Sequence, residues 1–339
     1  MLFCGCGRRR DSASRLRTTV QSWTVLAYMV PLPLVNTVGF LIDVFAMKFA
    51  TDSLGISPGA MGTVFSISRV CDAFTDPVVG YLSDATTAPL GRRRSWMLAG
   101  CLPMAALFFA IFSPPRNLSS DGLLMWEGLA IIGYFACSSC FNVPHVSLGA
   151  ELTVGRPPSE RSRLFGIRHV LSIVGQLGGI VALYFLLSAQ VRGRAYVMPL
   201  ASSVSLAVGV SFVGGVVFSV CNLRERTQAV LKQPNVKETA QRVLSNPHAR
   251  LLSLAYFIEE AGKGVFGLMA PYFLQYVCGM NPSIASFVMV VYMVSATLSP
   301  PLSLPCRRHC HCHPHLFPPP PQSSPSHTAS AHFCPLPRF

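Results

Sequence analysis

Charge is what this chain has least of. Only 12% of its 339 residues are Asp, Glu, Lys or Arg, against roughly 25% in an ordinary soluble domain. A water-soluble globule of this length needs far more charge to cover its surface, so the soluble classes are excluded. Acidic residues are scarcer still, 14 against 27 basic ones. Also missing are a nucleotide-binding loop, a metal-ligand triad and a nucleophile elbow, the usual sequence supports of an enzyme. What is abundant is apolar: 51% of the residues, with a mean hydropathy of +0.45. That composition rules out disorder for most of the chain. A polytopic, all-α membrane protein remains.

A helix needs about 20 mostly apolar residues to cross the hydrocarbon. Eight such runs stand at 24–47, 57–82, 94–113, 123–149, 164–188, 196–222, 249–277 and 282–300, numbered here as spans 1 to 8. Seventeen Lys and Arg residues precede span 1 or lie between spans 2 and 3, 4 and 5, or 6 and 7, whereas the alternate loops hold three, Arg116, Arg192 and Arg194. This bias predicts a cytoplasmic N-terminus. The sequon Asn117-Leu118-Ser119 then falls on the outer side. The net charge of +13 reads as positive-inside bias, with the lipid bilayer as partner and no nucleic acid.

Five segments follow: a cytoplasmic N-terminus (1–23), a six-helix bundle (24–222), a cytoplasmic linker (223–248), a partial bundle of two spans (249–300), and a Pro/His/Cys/Ser-rich tail (301–339). Low-complexity sequence of that last kind builds no core. Cys306, Cys310 and Cys312 alternate with histidines there, but their spacing matches no regular paired-ligand pattern and predicts no metal site. Cys4 and Cys6 flank an Arg triplet, where they are either palmitoylated or plain cytosolic thiols. Cys137 and Cys140 read as packing residues.

Ionisable residues inside a bilayer are costly and are functional candidates by default. Asp72 and Asp76 are four apart in span 2 and project from one helix face. Ionised carboxylates that close repel each other, and a bound cation or proton removes the conflict. With Thr75 between them they predict a cation site. Pro77, which lacks an amide proton, frees a carbonyl for that cation or marks a kink. The alternative is that these acids pair with Arg69, Arg168 or Lys263 as structural glue. Arg168 cannot lose its proton, so it needs Asp72, Asp76, or an anionic or polyol substrate. Glu259 and Lys263 have the spacing of a helical ion pair, and His145 and His169 read as satisfied core groups. Asp43 faces the bundle interior or a vestibule. Asp84, Arg92 and Arg93 flank the short loop between spans 2 and 3, either as a cytoplasmic gate or as positive-inside anchoring.

Several linked motifs carry a resemblance. Arg69-x-x-Asp72-Ala73-x-x-Asp76-Pro77-x-x-Gly80, then Gly91-Arg92-Arg93-Arg94, resembles the glycoside–pentoside–hexuronide:cation symporters of the major facilitator superfamily. Asn142-Val143-Pro144-His145, with Glu160-Arg161-Ser162-Arg163 and Arg168, is similar to their span 4 to span 5 region. The resemblance implies a twelve-span fold of two six-helix bundles working by alternating access, and a transporter, not an enzyme. It also implies a coupling cation, Na+ or H+, held by Asp72 and Asp76 with help from Thr75, Ser139 and Asn142, and no other cofactor. Arg168 would orient the solute, alongside Asn36 and Asp43. Asn36 and Asn142 stand where sugar-carrying members have acids, so the small organic solute is left open between a sugar-like and a lysolipid-like one. About eight of the twelve spans are present. The expectation is therefore a truncated carrier or gene-model artefact, or a non-transporting membrane protein that partners a full-length carrier. A plasma membrane and an organelle membrane remain equally open.

Overall fold

A computed structural model describes residues 22–223, 225, 241, 244–281, 284, 285, 287, 288 and 291, apart from the side chains of Glu260 and Lys263. All of them fall within one compact unit. Every regular element among them is a helix. Most of span 8, most of the linker, both cysteine-bearing termini and the expected Glu259–Lys263 pair lie outside the described residues.

Span 1 is a composite. Ser22–Met29 and Pro31–Leu41 are α-helical, and two π-helical stretches follow, Ile42–Ala46 and Phe49–Ser53. Spans 2 to 6 are single helices, Pro58–Ala85, Arg92–Ile111, Ser120–Leu152, Pro158–Val191 and Arg194–Asn222. Span 7 is Pro247–Tyr272, closed by a third π-helical stretch, Phe273–Val277. Local chemistry sets the starts. Ser57 and Ser119 accept the amides of Ala60 and Gly122 at 3.3 and 3.2 Å, satisfying donors that a helix start leaves unpaired. Pro58, Pro158 and Pro247 open their helices where no amide is needed.

Five helices are long and apolar enough to cross a membrane by length and composition: Ser22–Ala46 and spans 3 to 6. Spans 2 and 7 fall outside that set, and both carry ionisable residues within their apolar runs. The chain is a multi-pass membrane protein.

Spans 1 to 6 pack as one bundle, span 1 chiefly on spans 5 and 6, and span 4 on spans 2 and 3. Between apolar helices in lipid, small residues are what permit close approach. A Cβ on Gly175 of span 5 would lie 2.1 Å from the Pro33 carbonyl oxygen, and one on Gly100 of span 3 would lie 2.8 Å from Cys140 Cβ. Spans 1 and 5, and spans 3 and 4, are therefore in near backbone contact. Phe45, Phe49, Phe108 and Phe112 fill one end of the bundle, with ring centroids 5.4 to 5.8 Å apart. The opposite end, where Arg92, Arg93 and Arg94 lie, is called here the basic end. Span 7 meets the bundle chiefly through the π-helical stretch Ile42–Ala46 of span 1.

Candidate functional site

Four polar clusters lie along the bundle. One, midway along, joins spans 1, 2 and 4. Ser139 donates to Asp72 Oδ1 at 2.8 Å, Thr75 Oγ1 donates to the Asp72 carbonyl at 3.1 Å, and the two hydroxyls are 3.3 Å apart. Asp76 lies one turn further on span 2, is exposed, and acts electrostatically on Asp72. Two carboxylates, two hydroxyls and a helix carbonyl form an oxygen-rich set of the kind that suits a hard cation. Asn142 lies three residues beyond Ser139 on span 4 and makes no hydrogen bond to this set.

Arg69 does not close on Asp72 or Asp76 as the structural-glue alternative would have it: its Nη2 sits 2.6 Å from Asp43 Oδ1, and its guanidinium lies 4.2 Å from the Phe135 ring centroid. Asp43 occupies the π-helical stretch of span 1, where the regular α-helical spacing is broken. It therefore joins the Asp72 cluster and not the other two residues expected to face the solute.

Those two, Asn36 and Arg168, are brought together between spans 1 and 5. Asn36 Nδ2 donates to Ser172 Oγ at 3.2 Å, and Ser172 donates to the Arg168 carbonyl at 3.0 Å. Arg168 donates to the Tyr28 hydroxyl at 3.0 Å. No acid partners it among the described residues, so of the anions expected for it neither Asp72 nor Asp76 is engaged, and an anionic or polyol substrate is left. The reason is packing: span 5 lies on span 1, while span 2 lies on span 4. Beneath Tyr28, His145 is fully buried, stacks on the Tyr28 ring at 4.4 Å, and donates from Nε2 to the Tyr28 carbonyl at 3.0 Å. His145 is thus a core group that fixes Tyr28, and His169 is exposed.

At the basic end, Arg92 Nη2 and Arg93 Nε each lie 2.6 Å from Glu151 Oε1, and Arg93 Nη2 lies 2.7 Å from Asp84 Oδ1. The backbone amides of Arg93 and Arg94 both donate to Glu225 Oε1, at 3.0 and 2.6 Å. These residues, expected as a gate or as plain anchoring, form a clasp that ties spans 2, 3 and 4 to the segment just after span 6. Of the three acids that close it, sequence reasoning named Asp84 and missed Glu151 and Glu225.

At the far end, Lys48 is 1% exposed and pairs with Asp52 at 2.5 Å. Its Nζ lies 5.0 Å from the ring centroids of both Tyr272 and Tyr276 of span 7. The Tyr272 hydroxyl meets Thr51 Oγ1 at 2.5 Å, and Tyr276 donates to Asp52 Oδ2 at 3.3 Å. Its signal was present in the sequence as a Lys–Asp pair four residues apart. Glu127, fully buried in span 4 with neither oxygen hydrogen-bonded among the described residues, was also missed; an acid inside the 123–149 run was the available sign. Two clefts of about 430 and 300 Å³, between spans 2 and 4 and between spans 3 and 6, are lined almost wholly by apolar groups and hold none of these residues.

The described residues thus form a helical membrane bundle with ion pairs at both ends and an acid pair midway. Residues 27–309 match the family model described as MFS/sugar transport protein, and the chain belongs to that family. Several curated relatives align with it, among them the following three. The inner membrane symporter YicJ of Escherichia coli (strain K12) is 26% identical over 78% of this chain and 56% of its own length. The isoprimeverose transporter of Lactiplantibacillus pentosus is 26% identical over 75% of this chain and 53% of its own. The sodium-dependent lysophosphatidylcholine symporter 1 of Gallus gallus is 26% identical over 57% of this chain and 34% of its own. The chain spans about half the length, or less, of these relatives.

Proposed function

We propose cation-coupled symport of a small organic solute by alternating access, with the cation held by Asp72, Asp76, Thr75 and Ser139. One observation carries this reading: two hydroxyls from spans 2 and 4 converge on a carboxylate that has a second carboxylate one turn away. Asn142 joins the cation from span 4 when the site fills. Na+ is the favoured ion, since five oxygens from side chains and backbone suit it and one relative is named sodium-dependent. The solute binds between spans 1 and 5. Asn36 supplies donor and acceptor capacity there, and Arg168, held by Tyr28, supplies a fixed guanidinium fork. Such a pair suits a hydroxyl-rich or phosphate-bearing solute, in keeping with relatives named for isoprimeverose and for a lysolipid. The basic end, with its clasp, faces the cytoplasm.

The test is uptake in proteoliposomes. Radiolabelled disaccharides and lysophosphatidylcholine are offered with an inward Na+ gradient, or with an inward H+ gradient. Gradient-dependent accumulation should fall about tenfold or more in Asp72→Asn and in Asp76→Asn. Accumulation at the unaltered rate in both variants would refute the assignment.

A further inference from the structure

One cation is already present beside the acid pair, on the protein itself. Arg69 precedes Asp72 by three residues on the same helix, a spacing at which side chains meet. An arginine there is a ready internal substitute for the coupling ion: it cannot deprotonate, and a carboxylate matches its fork. Yet it is turned away. Its Nη2 is 2.6 Å from Asp43 Oδ1 on span 1, and its plane rests on Phe135 of span 4. Among the described residues, Asp72 meanwhile takes a side-chain hydrogen bond from the Ser139 hydroxyl, on Oδ1. The charges of Arg69 and Asp43 both still reach Asp72.

From this arrangement we infer that Asp43 is a retaining carboxylate: it draws Arg69 off Asp72, so that the acid pair stays open to an external cation. The inference rests on the symport reading above and adds a positioning residue to it. Magnitude supports a retaining role over a strut. Both partners have side chains 48% exposed, and ion pairs that open add little stability, a median of about 0–1 kcal/mol. Such a pair is weak enough to exchange partners, while the ring of Phe135 holds the guanidinium within reach of either acid. The backbone supplies the rest. The π-helical stretch that begins at Ile42 presents Asp43 to span 2. Span 7 runs beside this stretch, since an added Cβ on Gly267 would lie 3.5 Å from the Asp43 carbonyl oxygen.

Two measurements on the purified full-length protein in nanodiscs test this. The first is 22Na+ binding. Asp43→Asn should weaken it about tenfold or more, because an opposite charge freed beside Asp72 competes directly. Adding Arg69→Gln to Asp43→Asn should return affinity to within about threefold of wild type, since the competitor is gone. Unchanged affinity in Asp43→Asn, or a double variant as weak as the single, would overturn the inference. The second measurement needs no bound ion. Thermal unfolding in choline buffer should show Arg69→Gln and Asp72→Asn more strongly coupled in the Asp43→Asn background than in the native one, by about 3 °C or more, because Arg69 has moved to Asp72. Equal coupling in both backgrounds would overturn the inference even if no sodium binds. Sodium binding that survives Asp72→Asn would instead refute the cation site itself.

Discussion

Replacing Lys48 with Met tests the far-end cluster most directly. The native ammonium is buried and holds Asp52 at 2.5 Å, with that carboxylate side chain 21% exposed. Breaking a buried ion pair from one side costs about 3–5 kcal/mol, because the partner is left charged and unpaired. Asp52 is not stranded completely. Thr51 Oγ1 donates to its Oδ1 at 3.1 Å and Tyr276 to its Oδ2 at 3.3 Å, which brings the expected loss towards the lower bound. Contact with two tyrosine rings adds back a share, about 0.5–2 kcal/mol for a desolvated cation–π contact. Methionine keeps most of the aliphatic stem and leaves little cavity. The expected destabilisation is about 3 kcal/mol, read as a lowered melting temperature in lipid nanodiscs. Adding Asp52→Asn removes the unpaired charge and should recover about half of it or more. A single variant within about 0.5 kcal/mol of wild type would refute the reasoning. So would a double variant that is less stable than Lys48→Met alone.

Gly175→Ala should fail to accumulate or lose about 2–3 kcal/mol, since its Cβ would sit 2.1 Å from the Pro33 carbonyl oxygen and neither backbone can yield alone. Gly166→Ala on the same helix meets nothing within 4 Å and should match or slightly exceed wild type in the same melt. Glu151→Gln leaves Arg92 and Arg93 without the charge that both approach at 2.6 Å. Its expected cost is about 1–3 kcal/mol, with faster proteolysis of the loop between spans 2 and 3.

The spans were legible because membrane crossing is a one-dimensional constraint: enough apolar residues, bounded by charge and helix breakers. The cation cluster was legible in part for the same kind of reason. Asp72, Thr75 and Asp76 lie on one helix, where spacing alone fixes neighbours. Partners on different helices were not. Arg69 finding Asp43, Arg168 finding Tyr28, and Glu151 and Glu225 closing on the Arg92–Arg94 corner all depend on which helices approach, and how closely. In this bundle that is decided by points such as Gly175 against Pro33 and Gly100 against Cys140, which hydropathy does not read. The π-helical stretches of span 1 were invisible for a deeper reason. Ile42–Ala46 and Phe49–Ser53 are as apolar and helix-compatible as their flanks, and their irregularity moves Asp43 away from the face it would share with Asn36.

The placement of the ion pairs along the bundle bears on how a transport cycle can run. At the basic end, the described partners of Arg92, Arg93 and Arg94 all belong to spans 2, 3, 4, the end of span 6 and the segment just after it. Those contacts lie inside one bundle, so they brace it as a rigid body and need not break when the bundles rock. At the far end the polar contacts cross from span 1 to span 7, through Thr51, Asp52 and Lys48 on one side and Tyr272 and Tyr276 on the other. Contacts of that kind must open for the far side to admit a solute. On the proposed cycle, with the basic end cytoplasmic, this conformation is shut on the outside by a latch next to the stretch that bears Asp43. A reducible bifunctional thiol reagent that joins Thr51→Cys to Tyr272→Cys should therefore block uptake, and reduction should restore it. Full uptake by the cross-linked protein would mean that these contacts do not gate the outer side.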